Sequence, residues 1–284
     1  KIQGSDNGKS GMKSRNDSIT LKNGKLHQPR KRFGQNFLCD QNVINRIIDA
    51  FDPNPSDHLV EIGPGQGALT EPLAATGARL DCIELDRDLA KYLRKHYSEN
   101  SQVTVHQQDG LKFDFTQLAP ARRSLRVIGN LPYNISTPML FHLMKYHEVI
   151  KDMTFMLQLE VVQRMAAKPG NKNYGRLSLM LQYFCKVEHL FNIPSAAFSP
   201  KPKVVSAIAR LTPHSKFPVI ANDVHSLQTV IRTAFNQRRK TLKNSLKTII
   251  SKETLNKLPL DSSLRPENLS LQDYVIISDA ISNE

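Results

Sequence analysis

A strand that runs directly into a glycine-rich loop is the feature that most restricts how this chain can fold. Residues 58–62 (HLVEI) form a short apolar run, and residues 63–67 (GPGQG) follow it before a helix-like segment. Glycines at such a turn let the backbone bend sharply, approach a ligand and pack a helix on a strand, none of which tolerates a Cβ atom. The pattern predicts a cofactor loop, although a plain structural turn would also explain it.

Strand-like and helix-like segments alternate around this loop, which is typical of a largely parallel sheet with helices on both faces. The predicted strands span residues 58–62, 79–85, 102–107, 125–129, 153–157, 190–193 and 204–211. The predicted helices span residues 40–50, 67–76, 87–97, 137–146, 159–167 and 174–185. The expected fold class is therefore α/β, with a Rossmann-like sheet.

The first 29 residues differ in composition from the rest of the chain. They are polar, rich in Lys and without hydrophobic periodicity. Residues 1–11 resemble the remnant of an expression tag, and residues 12–29 are expected to be disordered or to become ordered only on RNA. The main α/β domain is therefore predicted to span residues 30–212.

A second domain is predicted beyond the last strand, where two prolines interrupt regular structure and indicate a linker. Apolar residues then recur at helical spacing from Leu227 to Ile250, and either Asn222 or Asp223 would cap the first helix. We therefore expect residues 213–284 to form a small, all-helical domain.

Two basic blocks account for the net charge of +13. Residues 1–35 contain nine Lys or Arg and two Asp, while residues 228–252 contain seven basic residues and no acid, so each block carries +7. Such blocks on a nearly neutral body suit a polyanion, because each neutralised phosphate releases condensed counterions. A solvated tail and a solubilising helix face would give the same pattern.

Composition narrows the class of protein further. No run of about 18 apolar residues occurs and no secretory signal is visible, so we expect a soluble protein without a transmembrane span. Cys39, Cys82 and Cys185 are far apart and form no CxxC pair, which argues against a zinc site or a disulfide framework. The expectation is a cytoplasmic protein without a metal.

Acids near the glycine loop indicate which cofactor it holds. Glu84 lies about 20 residues past the loop, where a carboxylate can accept both ribose hydroxyl protons, with Asp86 as the alternative. The spacing GPGQG after Glu61 differs from the GxGxxG of a dinucleotide site. S-adenosylmethionine suits an acidic loop better, since it carries a sulfonium cation and no phosphate. Asp109 can accept the adenine amine, unless it only forms an Asp-Gly turn.

The predicted strand at residues 125–129 delivers Asn130, Leu131, Pro132 and Tyr133 to the carboxyl edge of the sheet, where open α/β folds bind ligands. An adenine N6 amine is a poor nucleophile because its lone pair is delocalised into the ring. The side-chain oxygen of Asn130 and the carbonyl of Leu131 could accept its two N–H bonds and localise that lone pair. Pro132 would stiffen the turn and Tyr133 would stack on a flipped base. A strand-ending turn with a core tyrosine is the alternative.

Six motifs together resemble one known family. They are FGQNFL (33–38), EIGPGQGALT (61–70), IELDRDL (83–89), GNLPYNIS (129–136), AFSPKPKV (197–204) and AFNQRRKTLKNSL (234–246). From about residue 30 onward, the chain resembles bacterial 16S ribosomal RNA adenine dimethyltransferases of the KsgA type. Macrolide-resistance rRNA methyltransferases share the GQNFL-like and NLPY-like motifs but not the FNQRRK segment, which we predict to be helical.

The resemblance implies a class I methyltransferase that dimethylates N6 of two adjacent adenosines in the 3′-terminal hairpin loop of 16S rRNA. The partner would be an immature 30S subunit late in maturation, and the enzyme would be a monomer. The implied cofactor contacts, with Gly65 added from the loop itself, are Asn36, Leu38, Gly63, Gly65, Glu84, Asp109 and Asn130.

The resemblance also assigns residues that would contact RNA. Phe198 would face Tyr133 across the target base, although it could instead be a loop aromatic that anchors the core. Lys201 and Lys203 would touch phosphate. The acid-free basic run adds the expected RNA contacts Arg238, Arg239 and Lys240.

Three other functions compete with this interpretation. An RNA chaperone could use the same basic blocks, although the intact NLPY argues against an inert protein. A nicotinamide dehydrogenase would need GxGxxG and a proton relay, which the sequence lacks. A DNA amino-methyltransferase is the nearest enzymatic rival, but we would expect a second proline in its tetrapeptide.

Overall fold

The structure is a computed structural model that describes residues 19–20, 26–27 and 36–282. Its strands are β1 (Ile19–Thr20), β2 (Leu26–His27), β3 (Phe37–Leu38), β4 (His58–Ile62), β5 (Arg79–Glu84), β6 (Val103–Gln107), β7 (Leu125–Asn130), β8 (Ile150–Gln158), β9 (Cys185–Ile193), β10 (Phe198–Ser199) and β11 (Ser206–Pro213). Its α-helices are α1 (Gln41–Phe51), α2 (Thr70–Ala74), α3 (Arg87–His96), α4 (Ser136–Met144), α5 (Leu159–Met165), α6 (Arg176–Phe184), α7 (Val224–Asn236), α8 (Leu242–Ser245), α9 (Lys252–Lys257) and α10 (Leu271–Ser282).

One seven-stranded sheet, in the order β6-β5-β4-β7-β8-β11-β9, organises the protein. Strands β4 to β8 pair in parallel, and β11 runs antiparallel to both β8 and β9. The chain proceeds outward from β4 to β6 and then crosses back to β7, so the strand order reverses beside β4. Ligands of open α/β sheets bind at the carboxyl ends of the strands at such a reversal.

Helices cover both faces of the sheet, as its central strand shows. All five residues of β4 are buried. Val60 and Ile62 belong to one hydrophobic cluster, while the intervening Leu59 belongs to a second cluster on the other face. A strand buried on both faces is a continuous apolar run rather than an alternating one, which is why this strand is visible in the sequence. The predicted α/β fold class is confirmed.

A buried carboxylate ties the three strands on one side of the sheet together. Asp81 of β5 is fully buried and accepts hydrogen bonds from Nε2 of His58 at 2.7 Å and Nε2 of His106 at 2.6 Å. Burial alone would raise the pKa of Asp81, but the hydrogen bonds from His106 and His58 hold it well below its usual range. These contacts join β4, β5 and β6, whose carboxyl ends form one side of the ligand edge.

The predicted boundaries were accurate for β4 and poor for β9. The structure has β4 over the residues predicted, whereas β9 begins at Cys185, five residues before the predicted strand. Lys186 of β9 is exposed and Val187 and Glu188 are only half-buried, so this edge strand has no apolar run. Its conformation comes from pairing with β11, from Cys185 opposite Pro213 to Ile193 opposite Ser206.

The C-terminal region is helical, as predicted, but its first helix is shorter. Asp223 caps α7 by accepting hydrogen bonds from the backbone N–H groups of His225 and Ser226, both at 2.9 Å, which decides between the two predicted caps. Helix α7 ends at Asn236. The prediction that Arg238, Arg239 and Lys240 lie on a helix is therefore wrong, because these residues form the turn between α7 and α8.

The predicted linker begins later than expected and is packed against the sheet domain. Strand β11 continues to Pro213, and the ring of Phe217 stacks on Tyr183 of α6 with 5.0 Å between ring centroids. Buried residues of α7 and α10 belong to the same hydrophobic cluster as one face of the sheet. The division at residue 213 remains a proposal about domain organisation.

The expectation of disorder over residues 1–29 falls mostly on residues that the structure does not describe. Within that range, β1 and β2 are described and pair antiparallel. Disorder of the remainder, and the assignment of residues 1–11 to a tag, stay predictions. The first three residues of the FGQNFL motif, 33–35, likewise lie outside the described residues.

Candidate active site

An open cleft lies at the carboxyl edge of the sheet, where β4, β5, β6 and β7 end, and residues 36–38 close one side of it. All of the sequence-predicted cofactor residues line this cleft, and so does the tetrapeptide after β7. They are Asn36, Leu38, Gly63, Gly65, Glu84, Asp109, Asn130, Leu131, Pro132 and Tyr133. The lining residues do not include Phe198, Lys201 or Lys203. They also do not include the turn formed by Arg238, Arg239 and Lys240, which we call the basic turn.

The glycine loop takes a conformation that side chains would strain. Gly63 and Gly65 have φ values of +68° and +59°, in the left-handed region that favours glycine. A Cβ atom on Gly65 would come within 3.2 Å of the Phe37 ring, so the loop and β3 can only pack this closely with glycine there. At these two positions the loop therefore presents bare backbone to the cleft, which lets a ligand approach closely.

Glu84 is fixed at the end of β5 by the loop itself. Its Oε2 accepts a hydrogen bond from the Gly65 N–H at 3.0 Å, and its Oε1 accepts one from the Asp86 N–H at 2.8 Å. Burial raises the pKa of Glu84. A carboxylate has about four acceptor sites, so these bonds leave it able to accept from a ribose hydroxyl. Asp86 instead caps α3, accepting from the Asp88 N–H at 2.9 Å, which favours Glu84 over the alternative.

Asp109 forms the turn that the sequence left open as the alternative, and it also lies at the cleft. Its Oδ1 accepts a hydrogen bond from the Leu111 N–H at 3.0 Å, so it does form a turn, and its half-buried side chain also lines the cleft. Leu85, which sequence analysis missed, lines the same region with 49% of its surface exposed. An exposed leucine between two acids at a strand end was the available signal, because an adenine ring needs an apolar surface.

Glu61 lies beneath the glycine loop and is almost completely buried. Its Oε2 accepts a hydrogen bond from the Thr70 hydroxyl at 2.6 Å, and the Cys82 thiol lies 3.8 Å from the same oxygen. Burial raises the pKa of Glu61 to about 7, helped by repulsion from Glu84 and opposed by the Thr70 hydrogen bond. Glu61 thus gains a negative charge near neutral pH, just below the loop.

The tetrapeptide after β7 is held by contacts with distant parts of the chain. Nδ2 of Asn130 donates to the backbone carbonyl of Asn36 at 3.1 Å, which fixes the plane of the amide at the cleft. The hydroxyl of Tyr133 is hydrogen-bonded to Oγ of Ser206 at 2.9 Å. Ser206 was not singled out in the sequence, because a serine at the start of a strand carries no functional signal.

Phe198 is placed differently from the two lysines that follow it. Its ring is 5% exposed and packs in the cluster that contains Phe37 and Leu38, since β10 pairs with β3. The structure thus shows the core contact that sequence analysis gave as the alternative, and the contact with a target base stays a prediction. Lys201 and Lys203 are exposed.

The three residues of the basic turn also differ from one another. Nε of Arg238 pairs with Oε2 of Glu267 at 2.5 Å, and its Nη2 donates to the carbonyl of Lys172 at 2.5 Å. Arg238 therefore joins the turn to two other segments, whereas Arg239 and Lys240 are exposed.

None of the helices among the described residues combines the length and apolarity that crossing a bilayer requires. Within the same residues, no three His, Cys, Asp or Glu side chains come together in an arrangement that could hold a metal ion.

The sheet, the glycine loop and the acid-lined cleft define a class I methyltransferase that uses S-adenosylmethionine. The model of the family described as "Ribosomal RNA adenine dimethylase" matches residues 26–282, and the chain belongs to this family. It is therefore an rRNA adenine dimethyltransferase.

Two relatives are named ribosomal RNA small subunit methyltransferase A. The protein of Marinobacter nauticus is 54% identical over 257 residues, which cover 90% of this chain and 93% of that protein. The protein of Pseudomonas aeruginosa is 54% identical over 256 residues, which cover 90% and 96% of the two chains.

Two solved structures are similar to this one. A dimethyladenosine transferase from Plasmodium falciparum has a TM-score of 0.71 and 26% identity, covering 85% of this chain and 95% of that chain. The 23S rRNA methyltransferase ErmE has a TM-score of 0.68 and 23% identity, covering 87% and 100%, and shows the shared fold alone.

The raised pKa of Glu61 predicts how stability depends on pH. The folded pKa of about 7 lies above the ordinary value of 4.5, so the unfolded chain loses its proton first as the pH rises. Stability from this group is thus greatest below pH 4.5 and is lost as the pH rises to about 7. The free energy of unfolding of Glu61→Gln, relative to that of the parent protein, should therefore rise by about 2–3 kcal/mol between pH 4.5 and pH 8.

Urea unfolding of the cofactor-free protein across this pH range measures the effect. Glu99→Gln, which changes an exposed glutamate, is the matched control and should differ from the parent by a constant amount. A free-energy difference for Glu61→Gln that does not change with pH would contradict the prediction.

Proposed function

We propose that this enzyme dimethylates N6 of two adjacent adenosines in the 3′-terminal hairpin loop of 16S rRNA, acting on an immature 30S subunit late in its maturation. The names of the relatives at 54% identity support the small subunit as the source of the RNA. The observation that carries the proposal is the amide of Asn130, held at the edge of the cofactor cleft by Asn36. We also propose that the enzyme acts as a cytoplasmic monomer.

The cleft fits S-adenosylmethionine at three strand ends. Glu84 would accept the ribose hydroxyls, and Asp109 would accept the adenine amine beside the apolar surface of Leu85. The backbone at Gly63 and Gly65, with Asn36 and Leu38 opposite, would enclose the rest of the molecule. When bound there, the cofactor supplies an electrophilic methyl group on its sulfonium.

Asn130 and Leu131 would hold the nucleophile. Because Nδ2 of Asn130 is already used by the Asn36 carbonyl, the amide oxygen is the group left to accept a hydrogen bond from the adenine amine. The Leu131 carbonyl would accept the second N–H bond. Two acceptors would localise the nitrogen lone pair and point it at the methyl group. These hydrogen bonds would be stronger in the transition state than with free adenine, so they would accelerate the reaction.

Tyr133 would support the flipped base. Its hydroxyl is anchored to Ser206, so the ring is held in one orientation without help from RNA. A pre-oriented ring loses little conformational freedom when a base stacks on it. No strong base is needed to complete the reaction, because the methylated nitrogen becomes acidic and can lose its proton to water.

Exposed cations on two segments would contact the RNA backbone. Lys201 and Lys203 lie in the segment before β11, close along the chain to Ser206, and Arg239 and Lys240 lie in the turn after α7. We propose that residues 30–212 are catalytic, that residues 213–284 bind RNA, and that residues 1–29 are a tag remnant followed by a basic N-terminus.

Labelled S-adenosylmethionine with three substrates tests the proposal. Immature 30S particles should accept methyl groups at N6 of two adjacent adenosines, to about four per particle. Naked 16S rRNA and DNA are the comparison substrates. Labelling of DNA, or of adenosines outside the 3′-terminal hairpin loop, would contradict the proposed substrate, and absence of labelling in all three would favour an RNA chaperone.

Asn130→Ala should impair chemistry rather than RNA binding. Removing one positioned polar group should lower the methyl transfer rate by on the order of a hundredfold, by analogy with other catalytic sites. Tyr133→Ala should instead weaken stacking, by roughly 1–3 kcal/mol. Single-turnover assays at saturating cofactor and RNA isolate the chemical step. Asn45→Ala, which removes an exposed amide from α1, is the control, and near-normal dimethylation by Asn130→Ala would refute the mechanism.

The basic turn should divide into residues that bind RNA and a residue that stabilises the fold. Removing one Lys or Arg from a phosphate should reduce the log–log salt slope of RNA binding by about 0.7–0.9, so Arg239→Ala with Lys240→Ala should flatten it. Arg238→Ala, the matched arginine variant, should mainly lower the melting temperature, because it leaves Glu267 without its ion-pair partner. A reduction of the slope by about 0.7–0.9 in Arg238→Ala would show that Arg238 also binds phosphate.

A further inference from the structure

One polar atom at the cleft lacks a partner. Nε2 of Gln66, in the glycine loop, is buried from solvent, and among the described residues it has no hydrogen-bond partner. Gln66 lines the cofactor cleft. An unpaired buried N–H donor costs free energy, so a protein that keeps one beside a ligand cleft gains most when the ligand supplies the acceptor.

The charges of the cleft restrict what this donor can meet. Glu61, Glu84, Asp86 and Asp109 line the cleft, and no Lys, Arg or His lines the part of it that the structure describes. S-adenosylmethionine carries a sulfonium, an ammonium and a carboxylate. The two cations suit an acidic cleft, but the carboxylate needs N–H donors and finds no cationic side chain among the lining residues.

The three glycine N–H donors of the loop are already used. The N–H groups of Gly63 and Gly67 donate to the carbonyls of Ile83 and Pro64, both at 2.9 Å, and the Gly65 N–H donates to Glu84. Nδ2 of Asn130, across the cleft, donates to Asn36. The side-chain amide of Gln66 is therefore a donor at this end of the cleft that is still available.

We propose that Nε2 of Gln66 donates a hydrogen bond to the carboxylate of S-adenosylmethionine. The inference rests on the cofactor placement proposed above. With Glu84 at the ribose and Asp109 at the adenine, the amino acid end lies beside residues 63–67, where Gln66 is. A hydrogen bond to a charged acceptor is about twice as strong as one between neutral groups, so Gln66 contributes to affinity although it carries no charge.

Calorimetry with two ligands and the variant Gln66→Leu tests this directly. S-adenosylmethionine should bind at least about tenfold more weakly to the variant, as expected when a charge-assisted hydrogen bond is removed. Decarboxylated S-adenosylmethionine, which lacks only the carboxylate, should bind the variant and the parent protein about equally. The melting temperature of the cofactor-free variant should be unchanged or higher, because the substitution removes an unpaired buried polar atom.

A second variant and a matched control separate this role from general effects on packing. Gln66→Glu keeps the shape of the side chain but places a like charge against the carboxylate. It should therefore lower the affinity for S-adenosylmethionine more than Gln66→Leu does, while the decarboxylated ligand should still bind. Thr154→Val removes a buried hydroxyl in β8, away from the cleft, that likewise has no hydrogen-bond partner within the described part of the chain. It should not change the affinity for either ligand.

The results distinguish this inference from the proposed site as a whole. Unchanged affinity of Gln66→Leu for S-adenosylmethionine, or an equal loss for both ligands, would overturn the role of Gln66. Glu84→Ala should weaken both ligands by at least about tenfold, since both contain the ribose. If Glu84→Ala has no effect, the cofactor placement itself is wrong; if only Gln66→Leu has none, the placement stands and this inference fails.

Discussion

The parallel pairing of β4 with both β5 and β7 is the constraint on which the rest of this structure depends. In this register Ile62 lies opposite both Ile83 and Gly129, so the three strands end together at one edge. A Cβ atom on Gly129 would collide with the backbone carbonyl of Ile62, so the close approach of β4 and β7 requires glycine. Because the ends coincide, the cofactor loop, Glu84 and Asn130 reach one cleft although they come from separate parts of the chain.

The antiparallel direction of β11 determines which segment of the chain crosses this edge. A strand parallel to β8 would bring its carboxyl end to the cleft, but β11 brings its amino end, with Ser206 opposite Gln158. Residues 194–205 therefore cross the ligand edge on their way from β9 to β11. In this way a residue 73 positions from Tyr133 anchors its hydroxyl, and Lys201 and Lys203 lie in the segment that leads to that residue.

Sequence patterns predicted what depends on local burial and missed what depends on distant pairing. Strand β4 was predicted to the residue because both its faces are buried, whereas the first half of β9 was missed because its pattern is only half apolar. Asn36 was found through resemblance alone, since its contact with Asn130 spans 94 positions. The basic turn was predicted as a helix, because its charges do not reveal that Arg238 pairs with Glu267. The charge pattern showed how many basic residues this segment has, but not which of them are exposed.

The short pairing of β3 with β10 connects the glycine loop to the segment that contains Lys201. The Phe37 ring of β3 packs against the glycine loop, and β10 holds Phe198 and leads to Lys201. If cofactor binding orders this pair of strands, it also orders the segment with Lys201, which we propose contacts RNA. Thermodynamic linkage then requires reciprocity: whatever factor cofactor binding adds to RNA affinity, RNA binding must add to cofactor affinity. The two ligands would then be coupled not only where the methyl group meets the adenine but also through these four residues of extended backbone.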